Sequence, residues 1–400
     1  MNDIPSPTVR AAIAGETPPV LVVDLDAVDA NMADMAARAG GTRIRVASKS
    51  VRIPRLIAHV LEHPTYSGTL SYALREAMDL VRWGVTDDAV VGYPTADAPA
   101  VAELAADDTL RASVTLMVDS VEHLDWILSA AADAEPGAER PIRVCMDVDA
   151  SWRPVPGLHI GARRSPAHTP RQAAELAREI TARPGLQLVG VMMYEGHIAG
   201  VADGGAGLMG AAIRAMQAAS RRELAARRAK VVRAVEAAAG PLEFVNGGGT
   251  GSLESTGAET AVTEIAAGSG LVGPGLFDRY RAFRPHAAQW FVLPVVRRPA
   301  KDIATVLGGG RIASGPAGED RLPIPAWPEG LSYIGSEGPG EVQTPLRGDA
   351  ARDLRVGDRV WFRHAKAGEG AEHADEAVAV AGGTIIGRWE TYRGKGRSYA

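Results

Sequence analysis

The chain is 400 residues long, 46% hydrophobic and 23% charged, a composition that suits a globular protein of two domains, or one large domain with an appendage. Its net charge of −5 comes without a long basic run, which leaves no footprint for nucleic acid or an anionic membrane. Cys145 is the sole cysteine, so neither an intrachain disulfide nor a cysteine-rich zinc site can form.

The opening MNDIPSPTVRAAIAG lacks the basic and apolar regions of a secretion signal, and no uninterrupted apolar run reaches membrane-spanning length. A cytoplasmic location is expected. In chain order, apolar β-branched runs then alternate with Ala/Leu/Arg-rich stretches. The predicted strands are VLVVD (20–24), RIRVAS (43–48), TYSGTL (65–70), DAVVGY (88–93), VTLMV (114–118), IRVCMDV (142–148), LQLVGVMMY (186–194) and EFVNG (243–247). Between most of them lie helix-period segments such as ALREAMDLVRWG and TPRQAAELAREITARPG, several closing on the glycine of a helix C-cap. Strands buried on both faces and followed by helices mean a parallel sheet. The spacing predicts a (β/α)8 barrel over 17–280, with a doubly wound open sheet as the competing arrangement. A glycine-rich loop at 197–210 leads into a long helix over about 211–239. Residues 281–400 turn β-rich, broken by Gly and Pro, with long loops around 311–330. This predicts a C-terminal β-domain, with residues 1–16 packed against it.

Catalytic groups of a barrel sit at the C-terminal ends of its strands. Lys49, one of five lysines in the chain, ends the second predicted strand. Desolvation there would free its amine to attack a carbonyl; a lysine paired with a carboxylate at a loop edge is the bland alternative. FVNGGGTGS (244–252) runs a strand into a glycine cluster, and EIAAGSGLVGPG (264–275) repeats the arrangement after the next strand. Small residues let backbone N–H groups converge on an anion, and late barrel loops are a common phosphate site. Each loop could equally be a glycine turn. His197 is either a base near the site or a satisfied loop residue. Asp147 and Asp149 beside Arg153 are either an ion pair or part of the site.

Taken in order, TPPVLVVDLDAVDANM, RVASKS, MMYEGHIAG, NGGGTGS, EIAAGSGLVGPGLFDRY, GDRVWFRHAKAGEGAEH and WETYRGKG resemble the fold-type III pyridoxal-phosphate enzymes, the alanine-racemase-like barrels. Within these the resemblance is to the D-threonine aldolase/D-serine dehydratase-like (amino acid deaminase/aldolase) branch. It implies pyridoxal 5'-phosphate held covalently by Lys49. It further implies a phosphate held by Gly248, Gly249, Thr250, Gly268 and Ser269, with Tyr194 lining the pocket and Arg153 near the cofactor's phenolic oxygen. Lyase chemistry on a D-amino acid, retro-aldol cleavage or elimination, follows from the same resemblance. So does a homodimer in which one subunit's β-domain closes the other's site.

Two departures from the family pattern bear on function. The position two before the lysine, usually His, is Ala47. Metal-dependent members present His-x-Cys or His-x-Asp from a C-terminal strand, where residues i and i+2 share a face; here the segment reads His364–Ala365–Lys366. The ammonium of Lys366 can stand in for the cation, or a new set from His364, Glu369, Glu372, His373 and Asp375 can bind it, or Lys366 is a plain surface lysine. A divalent metal is therefore doubtful. Racemisation is the nearest rival activity, with Tyr333 or Tyr392 as the second base. A non-catalytic carrier of the cofactor is opposed by residues 281–400, and a barrel holding a sugar phosphate, with Lys49 incidental, is a third alternative.

Overall fold

The computed structural model describes residues 4–132 and 140–399, so residues 1–3, 133–139 and 400, which the predicted domains include, lie outside it. The described chain forms two compact units. The larger comprises Met35–Lys49, Ile57–Gly268 and the C-terminal Tyr399; the other comprises the chain up to Asp34, Ser50–Leu56 and Ser269–Ser398. No described helix is long and apolar enough to cross a membrane.

The strand VLVVD, β1 (Val20–Asp24), is where the structure departs from the pattern above, because it is not a barrel strand. A buried apolar run says that both faces are covered but not by which sheet. The barrel closes instead from β2 (Arg43–Ala47) through β3 (Tyr66–Ser71), β4 (Ala89–Val91), β5 (Val114–Val118), β6 (Ile142–Asp147), β7 (Leu186–Met193) and β8 (Phe244–Gly247) to β9 (Glu264–Ala267). All neighbours are parallel, and β9 pairs back onto β2. EIAA supplies the eighth strand, and Lys49 follows the first barrel strand, not the second. Side chains alternate along the strands as the pleat requires. Val90, Met117, Cys145, Val189, Met192 and Phe244 form one buried cluster. Their neighbours Val91, Leu116, Val144 and Val191 join Ala77, Leu104, Ala177 and Val231 of the surrounding helices in another.

Local signals set the helix ends. Thr169 and Gln172 form a capping box ahead of helix Pro170–Thr181. Helices Leu25–Arg38 and Leu74–Arg82 run into Gly40 and Gly84 at φ of 61° and 67°, a conformation that favours glycine. The long helix spans Gly207–Ala239, so part of the segment read as loop is helical.

The other unit holds a nine-stranded mixed sheet. In it β1 pairs antiparallel with β10 (Gln289–Ala300) and parallel with β16 (Glu376–Ala381). The remaining strands are β11 (Ile303–Leu307), β12 (Ile324–Trp327), β13 (Ser332–Tyr333), β14 (Gln343–Arg347), β15 (Arg359–Arg363) and β17 (Thr384–Glu390). β12, within the stretch read as loop, pairs with β15. Val9 and Ile13 of the N-terminal segment share a core with Val22, Trp290, Trp361 and Val378.

At the starts of the barrel strands a buried ionic group links β2, β8 and β9. Arg45 donates to both carboxylate oxygens of Glu264 at 2.6 and 2.9 Å and to Asp88 at 2.8 Å, and Asn246 donates to Glu264 at 2.8 Å. The side chains of Arg45 and Glu264 are 1% and 0% exposed. Charges this deep persist only when paired and hydrogen-bonded throughout. Glu264→Gln leaves the buried Arg45 charge with Asp88 as its one carboxylate partner among the described residues and is expected to cost about 3 kcal/mol. Equilibrium denaturation of the two proteins measures the difference.

Candidate active site

The C-terminal ends of the barrel strands collect Lys49, Tyr93, Asp147, Tyr194 and the glycine turn after β8. Lys49 lies in the single turn Ser48–Ser50 directly after β2. Its side chain is exposed, not desolvated, and its Nζ donates to the Tyr93 hydroxyl at 2.7 Å. Tyr93 follows β4 by two residues, a signal that strand position alone offered. The Arg164 guanidinium lies 5.4 Å from the centroid of the Tyr93 ring and 5.2 Å from that of Tyr194, within cation–π range of both. Arg164 forms no ion pair among the described residues. Arg153, which the resemblance put near the cofactor's phenolic oxygen, is bonded to Asp149 and to Ser151 Oγ. Arg153 and Asp149 form the ion pair left open above, and with Arg163 and Arg164 they line a cavity of about 750 Å³. Burial pushes the Asp147 carboxyl up to about 7, against the opposing pull of Arg164.

The glycine turn is fixed from behind by Glu195, a residue the sequence reading passed over although it follows Tyr194. Its carboxylate accepts from Gly248 N at 3.0 Å, from Ser252 Oγ at 3.3 Å and from the Thr256 hydroxyl. Arg228 donates to it at 2.8 Å, and both side chains are buried. Gly249 N donates to Ser252 Oγ at 3.2 Å. The N–H groups of Gly248 and Gly249 therefore shape the turn and are spent. These glycines contribute space: at Gly248, φ is +71° and a Cβ would fall 2.7 Å from Ile265. Gly268 is similar, since a Cβ there would lie 2.4 Å from the Ala47 carbonyl oxygen. Ser269 falls in the sheet unit, where its Oγ meets that of Ser50 at 2.9 Å. An exposed amine beside a cradle that side chains would fill fits pyridoxal phosphate.

His197 does not join this group by any bond. It is buried, its Nε2 lies 2.5 Å from Ser220 Oγ on the long helix, and burial lowers its pKa. Tyr333 donates to the Pro323 carbonyl at 2.7 Å and burial pushes its phenol up; Tyr392 is buried.

His364 and Lys366 lie in the sheet unit, just after β15. Among the described residues no group of three or more His, Cys, Asp or Glu side chains is arranged to hold a metal ion. Of the possible replacement ligands, Glu369 pairs with Lys366 at 3.1 Å, Glu372 with Arg52 at 2.8 Å and Asp375 with Arg393 at 2.9 Å. The residues present do not fit a divalent cation.

A closed parallel barrel with a lysine after its first strand and a glycine turn late in it defines a class of cofactor-binding barrel. The profile of the alanine racemase N-terminal domain matches residues 23–274, and the chain belongs to that family. Membership implies pyridoxal phosphate as the cofactor. The chain is 27% identical over 395 residues to a 3-hydroxy-D-aspartate aldolase of Paracoccus denitrificans (strain Pd 1222), covering 94% of this chain and 92% of that one. D-threonine aldolase from Filomicrobium marinum superposes with a TM-score of 0.77 at 21% identity, covering 93% and 94% of the two chains. D-threo-3-hydroxyaspartate dehydratase from Delftia sp. HT23 gives 0.72 at 22%, covering 93% and 97%. Variants of a dehydratase of that name also match; one replaces a histidine by alanine, the other a cysteine two positions further on, the latter in a metal-free form.

Two outcomes follow from the rim. Glu195→Gln loosens a charged hydrogen-bond set worth roughly 1.5–3 kcal/mol per bond, and is expected to weaken pyridoxal-phosphate binding at least about tenfold, read by spectrophotometric titration. Asp147 holds its proton in the folded chain up to about pH 7, whereas the unfolded chain loses it near the ordinary value of about 4. The native state thus binds more protons across that window, and stability falls as pH rises through it. Asp147→Asn removes this dependence, so its Tm should gain on the wild type between pH 4 and pH 7 and hold the gain above.

Proposed function

We propose that this chain is a pyridoxal-phosphate-dependent lyase that cleaves a β-hydroxy-D-amino acid between Cα and Cβ, giving glycine and an aldehyde. The observation that carries this reading is Lys49 on the rim of the barrel, its Nζ bonded to Tyr93 at 2.7 Å, in a chain 27% identical to a 3-hydroxy-D-aspartate aldolase. Bound pyridoxal phosphate supplies an electron sink for the bond broken at Cα. Lys49 anchors it through Nζ, and Tyr93 orients that amine. The turn Gly248–Thr250 and Gly268 accommodate the phosphate, with Glu195 and Arg228 holding the turn in shape. Tyr194 lines the pocket, and Arg164 offers its guanidinium to an anionic oxygen of the ligand. In the cleavage the β-hydroxyl loses a proton and Cα gains one; delivery at Cα is assigned to Lys49 Nζ.

The visible spectrum of the purified protein, before and after borohydride, tests the reading when followed by peptide mapping. A band that collapses on reduction, with the label on Lys49, is expected, and Lys49→Ala should abolish both. Incubation with D- and L-threonine and with 3-hydroxyaspartate isomers should then release glycine and an aldehyde from a D-isomer alone. Ammonia with an oxo acid would show elimination instead, the inverted amino acid would show a racemase, and no band after added cofactor would overturn the reading altogether.

A further inference from the structure

The loop between β6 and helix Pro170–Thr181 is a built part of the barrel unit. Trp152 and Ile160 exchange backbone hydrogen bonds at 2.8 and 3.0 Å, which closes the residues between them into a hairpin. The base of that hairpin is fastened to the long helix. Arg227, itself buried, donates to the carbonyls of Asp149 at 2.7 Å, Ser151 at 2.9 Å and His168 at 3.2 Å. A cavity held in this way needs little ordering when a ligand enters.

Arg153, Arg163 and Arg164 line this cavity of about 750 Å³, with Asp149 as the carboxylate in its wall. Asp149 is taken by Arg153. Arg163 and Arg164 are exposed and form no ion pair among the described residues. Asp147, which acts on Arg164 from the rim, holds its proton up to about pH 7. Val155 and Leu158 add apolar side chains to the same lining, 56% and 47% exposed. Arg164 joins the cavity to the reactive amine: its guanidinium lies 5.4 Å from the Tyr93 ring centroid, and Lys49 Nζ lies 5.3 Å from the same centroid.

Guanidiniums without a carboxylate favour an anion, and Arg holds a carboxylate through two parallel N–H···O bonds. Apolar side chains in the same cavity favour carbon over water. A carboxylate attached directly at Cβ would use the charge and leave the apolar wall wet. We infer that the cavity receives the side chain of the amino-acid substrate, and that this side chain is an apolar arm ending in a carboxylate. Arg163 takes the carboxylate, and Val155 and Leu158 lie against the arm. This rests on the lyase reading above and narrows its substrate. The Cα–Cβ bond breaks, the β-hydroxyl gives up its proton and Cα gains one. The products are glycine and an aldehyde with a carboxylate at its far end.

The test gives the purified holoenzyme four D-substrates: threonine, 3-hydroxyaspartate, 2-amino-3-hydroxyadipate and the uncharged 2-amino-3-hydroxyhexanoate. The adipate compound should show a kcat/KM at least about tenfold above each of the others. Arg163→Gln should lower the ratio of the adipate to the hexanoate compound at least about tenfold, and Arg163→Lys, which keeps the charge, should restore part of it. Leu158→Ser should raise KM for both six-carbon substrates relative to threonine. A change of oligomeric state in that variant, read by sedimentation, would show that a second copy covers the wall and would overturn the arm. Binding is read apart from turnover by calorimetric titration with adipate and with hexanoate. Adipate should bind at least about tenfold more tightly, and Arg163→Gln should remove the difference. Equal kcat/KM for the two six-carbon substrates, a preference for 3-hydroxyaspartate, or an unmoved ratio in Arg163→Gln would overturn the proposal. Failure of the lyase reading shows separately, as tight adipate binding by a chain that cleaves none of the four.

Discussion

Closure of β2 onto β9 is the constraint on which the rest of the barrel unit depends. Eight parallel strands closed into a ring must all end at the same rim. Residues scattered from Lys49 to Gly268 are thereby gathered without any of them being near in sequence. The closure is reinforced at the opposite end, where Glu264 of β9 receives Arg45 of β2 and Asn246 of β8. The polar group at the strand starts does the ring's joining, which leaves the rim free to carry reactive side chains.

The rim is organised by pairing some charges and leaving others to a ligand. Glu195 is neutralised by Arg228 and serves the backbone of the glycine turn. Asp149 is neutralised by Arg153. Arg164 lies over two aromatic rings and, among the described residues, forms no ion pair, though its charge acts on buried Asp147. In the sheet unit the charge of Arg311 bears on the buried His364 imidazole, while Lys366 is neutralised by Glu369.

The fold was largely legible because its signals are local. Two-sided burial, helix-period segments and terminal glycines each report within a dozen residues, and they identify a parallel barrel followed by a β-rich region. VLVVD was misassigned because its partners are β10 and β16, hundreds of residues away, and a strand's apolar run does not encode its neighbour. In the site, Lys49 and the glycine turns stood out through rarity and clustering. Glu195 did not, since its role depends on Arg228 from the long helix. Arg164 lies in a loop with no periodicity, and only the folded chain shows it over Tyr93 and Tyr194. The same limit applied to His197, whose partner Ser220 comes from another element.

Cys145 sits within the barrel interior, fully buried, and burial holds its thiol far above the ordinary range. A thiol so placed is closed to alkylating reagents and oxidants as long as the fold is intact. The native chain is thus chemically silent toward thiol-directed labels, and a cysteine introduced at any exposed position becomes the single reactive one. Probes for spectroscopy or distance measurement can be attached one at a time without first removing a native residue. Loss of that silence, as Cys145 begins to react, reports the opening of the barrel itself.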